Sequence, residues 1–346
     1  MKKPRRPQGK PGPRPRQVVT LRDIAREAGV SASTVSRIIN GTVKVSNERR
    51  ASVDAAIAKH DFRPHAAARG LALGRTFTIG VLSQAIDSPF YAEGLRGVER
   101  RLLTAGYAAL FMSGNWNVAD EERCMRKFID HGVDGIIMFS GCLANAAVKD
   151  FAKRCPIVVT GRHLPAPHTY SLPIKDRLGA TLAMRHLIGL GHRRIAFNAG
   201  SENHPDALER RAGYLEALRE ARIPFDPRLV VRGDWQEEGG LIATTQLLEA
   251  GRAFTAVFCV NDQTAHGAYL ALFRQGLKVP DDVSVVGFDD LPSSSYSLPP
   301  LTSVRQSVRL LGERAAEAIL ALVCGRRPQV ESPPVELVVR ASTRRL

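Results

Sequence analysis

Over two helical turns the chain sets four hydroxyls and one guanidinium, in the run Ser31-Ala32-Ser33-Thr34-Val35-Ser36-Arg37. These groups suit the edges of nucleic-acid bases. A guanidinium can form two parallel hydrogen bonds to guanine, worth roughly 1–3 kcal/mol of discrimination. Ala32, Ser33, Ser36 and Arg37 are therefore assigned to a major groove, with the first helical turn facing the bases. Thr20, Ser31, Thr34, Asn40 and Asn47 suit phosphate oxygens, contacts that position a module without reading sequence. The charge distribution points the same way. Seventeen of the 49 Lys and Arg residues, but only five of the 34 carboxylates, fall in the first 76 positions. That segment holds a surplus of twelve positive charges out of a formal +15, and such a surplus gains by displacing counterions from a polyanion.

The elements that present this face follow from the flanking pattern. Thr20-Leu21-Arg22-Asp23 places a carboxylate three residues after a hydroxyl, a capping-box variant. Ile24, Ala25 and Ala28 recur at helical spacing, and Gly29 breaks the helix. Ser31 then caps a second helix carrying Val35, Ile38 and Ile39. Two short helices around a glycine turn, with small Ala25 at their crossing, predict a helix-turn-helix. A third helix begins near Ser46 and buries Val53, Ala56 and Ile57. Residues 1–18 contain seven basic residues, five prolines and no acidic one, and so predict a disordered tail. It either adds non-specific attraction to DNA or keeps the protein soluble.

The remaining chain reads as a large packed domain. Of 346 residues, 44% are hydrophobic, ample for a core. No apolar stretch reaches the roughly 18 residues needed to span a bilayer. The basic N-terminus lacks the apolar run of a secretory signal. The five cysteines (Cys124, Cys142, Cys155, Cys259, Cys324) form no CxxC pair, which supports neither a disulfide framework nor a zinc site. The expectation is a cytoplasmic protein. From Phe77 onward apolar strands alternate with amphipathic helices. Strands are predicted at 78–82, 107–112, 135–139, 157–160, 195–198, 256–260 and 284–288, and helices include 92–105, 177–190, 207–221 and 264–275. Strand-helix alternation implies parallel sheets built of right-handed units, with ligands beyond the carboxyl ends of the strands. The phosphate-binding glycine loops, GxSxG and HExxH are all missing, and the histidines lack metal-ligand spacing. No catalytic residue, metal or cofactor is expected.

The run from Val19 to Ala25 and that from Val30 to Gly41 closely resemble the headpiece of the lactose-repressor (LacI) family. Phe62-Arg63-Pro64-His65-Ala66-Ala67-Ala68-Arg69-Gly70-Leu71 resembles that family's hinge helix. The resemblance implies DNA contacts at His65, Ala68 and Leu71, with Leu71 as the apolar wedge in the central base step. Gly70, where relatives often carry a bulkier polar residue, weakens the hinge. Val133-Asp134-Gly135-Ile136-Ile137, the run His186–Ala196, Cys259-Val260-Asn261-Asp262 and Val285-Val286-Gly287-Phe288-Asp289-Asp290 resemble the family's regulatory core. So does Pro299-Pro300-Leu301-Thr302-Ser303-Val304. The implied fold is α/β: an N-terminal three-helix helix-turn-helix headpiece and hinge helix, then a two-lobed periplasmic-binding-protein-like core with parallel sheets. The implied division is 1–18 tail, 19–61 DNA-binding domain, 62–76 hinge and linker, and 77–346 effector-binding and dimerisation core. Its first lobe would be about 77–175 with 305–328, and its second about 176–304 with 329–342.

By the same resemblance Phe90, Tyr91, Asp206, Arg210, Trp235, Asn261 and Asp289 would line an effector cleft. Their chemistry suits a neutral sugar, since planar polar groups span adjacent hydroxyls and Trp packs the C–H face of a pyranose. Lys175-Asp176-Arg177-Leu178-Gly179-Ala180 and the run Gly251–Val257 look most like the galactose-repressor branch, which implies galactose or a related hexose or glycoside. The expected protein is a homodimeric transcriptional repressor on a pseudo-palindromic operator. The chain stops straight after its last predicted strand, without the heptad helix by which some relatives tetramerise. Two rival readings call for other features. A sugar-transport receptor would need a signal peptide and no headpiece, and a sugar-modifying enzyme fused to a DNA module would need paired catalytic groups.

Overall fold

The computed structural model describes residues 19–39, 45–62, 74–201, 204–251 and 253–346, and the chain divides into two compact units between Thr76 and Phe77. The first unit holds α1 (Leu21–Glu27), α2 (Ala32–Ile39) and α3 (Asn47–Lys59). The Asp23 carboxylate closes the start of α1 by accepting from the Thr20 backbone N–H at 2.9 Å and its hydroxyl at 2.6 Å. The turn runs through Gly29 at φ +65°, a left-handed conformation that only glycine adopts without steric penalty. Ser31 Oγ then accepts the Thr34 N–H at 3.1 Å and caps α2, leaving one orphan donor fewer at that end. Ile24, Ala25, Val35, Ile38, Val53, Ala56 and Phe62 pack into a single core. The tail, Asn40 and the hinge residues His65, Ala68 and Leu71 lie outside the described residues.

The second unit contains two sheets. β1 (Thr78–Ser83), β2 (Ala108–Ser113), β3 (Gly135–Phe139), β4 (Ile157–Thr160) and β5 (Thr169–Leu172) form a parallel sheet in the order β2-β1-β3-β4-β5. Helices α4 (Pro89–Thr104), α5 (Val118–Asp130) and α6 (Asn145–Ala152) connect its strands. The second sheet has the order β11-β10-β9-β8-β6-β7. Its strands are β6 (Ile195–Ala199), β7 (Val230–Arg232), β8 (Ala256–Cys259), β9 (Ser284–Asp289), β10 (Thr302–Arg305) and β11 (Glu336–Val338). Helices α7 (Asp176–Gly189), α8 (Pro205–Glu220), α9 (Glu237–Glu249) and α10 (Asp262–Arg274) belong to this half, while α11 (Val308–Val323) returns to pack on α4. The chain thus crosses between the halves before α7, before α11 and before β11.

Alternate strand residues feed opposite cores, as a pleated strand requires. Ile137 and Phe139 of β3 enter one cluster, and Ile136 and Met138 the other. Four of the strands lie outside the seven ranges predicted from sequence: β5, β7, β10 and β11. β5 is Thr-Tyr-Ser-Leu and β7 has three residues, so both edge strands are too polar or too short to stand out as apolar runs. One strand corrects the all-parallel expectation. β11 pairs antiparallel with β10, an arrangement common at the edge of an otherwise parallel sheet.

Candidate functional site

In the first unit, Val35 and Ile38 anchor α2 in the core, which turns Ser33 and Arg37 outward, both exposed and four residues apart. Ala32, Thr34 and Ser36 are half-buried beside them, and Thr20, Ser31 and Asn47 are exposed. The hydroxyls are already ordered: Ser31 Oγ lies 2.8 Å from both Ser33 Oγ and Thr34 Oγ1. A hydroxyl has one donor and two acceptor sites, and Ser31 Oγ uses all three in bonding Ser33 Oγ, Thr34 Oγ1 and the Thr34 N–H. The helix therefore offers a pre-set polar face with a guanidinium one turn along it.

In the second unit, a cavity of about 490 Å³ opens between the sheets and is lined by Phe90, Tyr91, Asp206, Arg210, Trp235, Asn261 and Asp289. Those are the seven cleft residues expected from sequence. They come from the carboxyl ends of strands and the helix starts that follow, where a parallel sheet leaves its loops free to build a site. Arg210 reaches in from α8 and is 3% exposed. Its Nε donates to Asp176 Oδ1 at 2.8 Å, its Nη1 donates to the Val260 carbonyl, and its Nη2 lies 3.6 Å from Asp289 Oδ1. The guanidinium plane stacks on the Phe288 ring at 3.7 Å. Asp289 also accepts from Gln306 Nε2 at 2.6 Å. Asn261 is the N-cap of α10, accepting from the Thr264 N–H, while its amide donates to the Trp235 carbonyl at 2.9 Å. It fixes the loop that carries Trp235.

One permanent cation thus sits among three carboxylates. Burial pushes Asp289 well above the usual carboxylate range and raises Asp206, with Arg210 opposing both shifts. Burial raises Asp176 to about 6, again against the pull of Arg210. Burial would lower Arg210, but Asp176, Asp289 and Asp206 outweigh it and hold the guanidinium charged. Buried charges persist only when paired and hydrogen-bonded. The result is a rigid set of donors and acceptors able to span adjacent hydroxyls of a ligand.

Sequence reasoning missed part of this site. Trp116, His204 and Gln263 also line the cavity, and Asp176 supports Arg210 from behind. Trp116 follows β2 and His204 follows β6, so the rule that ligands gather beyond strand ends carried the signal. Among the described residues no group of His, Cys, Asp and Glu could hold a metal, and no helix is long and apolar enough to cross a membrane.

Known proteins share this arrangement. Residues 20–65 match the lacI family of bacterial regulatory proteins, and residues 184–343 match a periplasmic binding protein-like domain. The HTH-type transcriptional regulator GalR of Salmonella typhimurium is 38% identical over 315 residues, 91% of this chain and 92% of that one. A lac repressor dimer bound to operator and the anti-inducer ONPF superposes with a TM-score of 0.86 at 31% identity, over 95% of this chain and 100% of that one. A complex of the transcriptional regulator CelR with cellobiose aligns at TM-score 0.69 and 31% identity, over 94% and 99%. A capped helix-turn-helix, a cleft between two α/β halves and identity running through both units have one common source: the chain belongs to the LacI family of bacterial regulatory proteins.

Proposed function

We propose that this DNA-binding transcriptional regulator is a homodimeric repressor of a pseudo-palindromic operator, controlled by a small neutral sugar in the cleft. The observation that carries the effector reading is Arg210, locked among Asp176, Asp206 and Asp289 at the edge of a cavity walled by aromatic rings. Its polar groups suit hydroxyls, and its rings suit the C–H face of a pyranose. Galactose or a related hexose or glycoside is the effector this reading favours, in keeping with the similarity to GalR. Ser33, Ser36 and Arg37 read bases, the hinge residues His65, Ala68 and Leu71 hold the minor groove, and the protein works in the cytoplasm without catalysing a reaction.

Exposed apolar side chains support pairing of two copies. Phe273 on α10, Tyr296 and Leu298 are 78%, 85% and 90% exposed, and the Tyr269 hydroxyl donates to the Pro299 carbonyl at 3.1 Å, tying the helix to that loop. Sugar binding favours one arrangement of the two halves and so unpairs the hinges. Such coupling is typically about 1–3 kcal/mol, set by the difference in affinity for the two states.

The test is fluorescence anisotropy of the full-length protein on its own upstream DNA, with excess non-specific competitor and with or without millimolar galactose. Specific binding that is lost on adding sugar supports an inducible repressor. Specific binding indifferent to galactose and to a panel of other sugars removes the effector reading. If the upstream DNA is not bound, selection from genomic fragments decides whether any operator exists.

A further inference from the structure

The cavity carries a second structure besides the Arg210 cluster: a continuous belt of rings from one half to the other. Phe90 meets Tyr91 at 5.3 Å between centroids, and Tyr91 meets Trp116 at 6.5 Å. Trp116 meets His204 at 4.1 Å, and His204 meets Trp235 at 4.4 Å. All five line the cavity. Phe90, Tyr91 and Trp116 hang from the first sheet, and His204 and Trp235 from the second. The Trp116–His204 contact is therefore the step at which the belt crosses the cleft.

The backbone at that step is held under strain. Asn115 and Trp116 have φ of +52° and +53°, a region that is uncommon outside glycine and a true outlier for a bulky residue. Strain of this kind persists only where the surroundings over-determine it, and it gathers at ligand clamps. Here the surroundings are visible. Gln84, 1% exposed, takes the Trp116 N–H on its Oε1 at 3.0 Å, and its own carbonyl accepts the Asn115 N–H at 3.0 Å. On the opposite side His204 is equally fixed. Its Nδ1 accepts the Asp206 N–H at 3.2 Å at the start of α8, so Nε2 carries the ring proton. Burial, with Arg210 adding to it, pushes the imidazole down to about 4, and the ring meets Trp116 uncharged.

We propose that Trp116 is a specificity-determining residue that latches the cleft: its indole closes onto His204 across the cavity and limits the ligand to a monosaccharide. A disaccharide would project its second ring through the wall that Trp116 and His204 complete, and would have to part them. This rests on the reading of the cleft as a sugar site.

The chain has two tryptophans, and both touch His204, so emission reports on the latch directly. In the full-length protein Trp235→Phe leaves Trp116 as sole emitter. Adding His204→Asn, which keeps a capping acceptor for α8, should then change the intensity or wavelength of its emission. Unchanged emission would show that the cross-cleft contact does not form, and the latch would fall. Calorimetry then compares D-galactose and D-glucose with cellobiose and lactose. The wild type should bind a monosaccharide and neither disaccharide. Trp116→Asn tolerates a left-handed backbone, and with Trp116→Gly as a second variant it should admit a disaccharide and weaken the monosaccharide about tenfold. A wild type that binds either disaccharide as tightly as a monosaccharide overturns the size limit. Wild-type protein that binds none of the four sugars removes the sugar reading and the size limit with it, while the emission result still decides the ring contact.

Discussion

Arg210 shows how a single side chain can be both structural and available. Its Nε and one Nη are committed to Asp176 and to the Val260 carbonyl, which leaves the fork held in one orientation at the cavity. Arg210→Ala should leave specific operator binding in place and abolish its response to sugar, because it removes the positioned donor and leaves the buried Asp176 and Asp289 without their cation. Normal induction by sugar in that variant would show the pocket is misassigned. The buried acids and His204 also make opposing predictions for pH. Asp176 and Asp262 titrate at about 6, above the usual 3.8. The folded chain then holds protons that the unfolded chain has lost, so their contribution is present below about pH 4 and is lost as pH rises through about 6. His204, at about 4 against a usual 6.5, works the other way, and its contribution is lost as pH falls through that window. Thermal melts between pH 4 and 7 should show His204→Asn losing less stability on acidification than the wild type, and Asp176→Asn losing more. Parallel profiles for all three proteins would contradict both assignments.

At the scale of elements, helix crossings are set by glycines as much as by apolar stripes. α4 and α11 approach so closely that a Cβ on Gly97 would lie 2.1 Å from the Arg309 carbonyl oxygen, and one on Gly312 the same distance from that of Gly94. No flexible side chain is there to yield, since the obstacle is backbone. Gly97→Val should lower stability by about 2 kcal/mol or more through overpacking, read as a reduced urea midpoint, and an unchanged midpoint would mean the helices are not seated as described. Asp262 illustrates a different constraint. It accepts from the Leu291 N–H and from the Ser294 and Ser303 hydroxyls at 2.5–2.7 Å, tying α10 to β10 and to the loop after β9. Asp262→Asn replaces one acceptor oxygen by a donor facing donors, and should cost about 1–3 kcal/mol in the same urea unfolding experiment. Neither feature was legible beforehand. A Gly in a helical pattern reads as a weak spot until its neighbour is known, and a buried Asp reads as a surface one.

For the molecule as a whole, the proposed recognition of a pseudo-palindromic operator requires self-association, since two headpieces are needed for two half-sites. Phe273→Asp together with Leu298→Asp should yield a monomer by light scattering, with the sugar response of the cleft retained and specific operator affinity lost. A dimer that survives both changes would place the interface elsewhere. The division of labour between sequence and tertiary structure is clear at this scale. The amino-acid order alone determined the helix-turn-helix, because caps, the glycine turn and the i, i+3, i+4 apolar spacing are local signals. It also determined the alternating strand-helix character of the rest, and family likeness named seven cleft residues that the fold brings to one cavity. Only the tertiary structure decided the rest: which carboxylate holds Arg210, the antiparallel edge at β11, and the meeting of Trp116 with His204 across 88 residues of chain. Those features depend on the distance between elements far apart in sequence, and no periodicity or spacing within a segment records a distance between two of them.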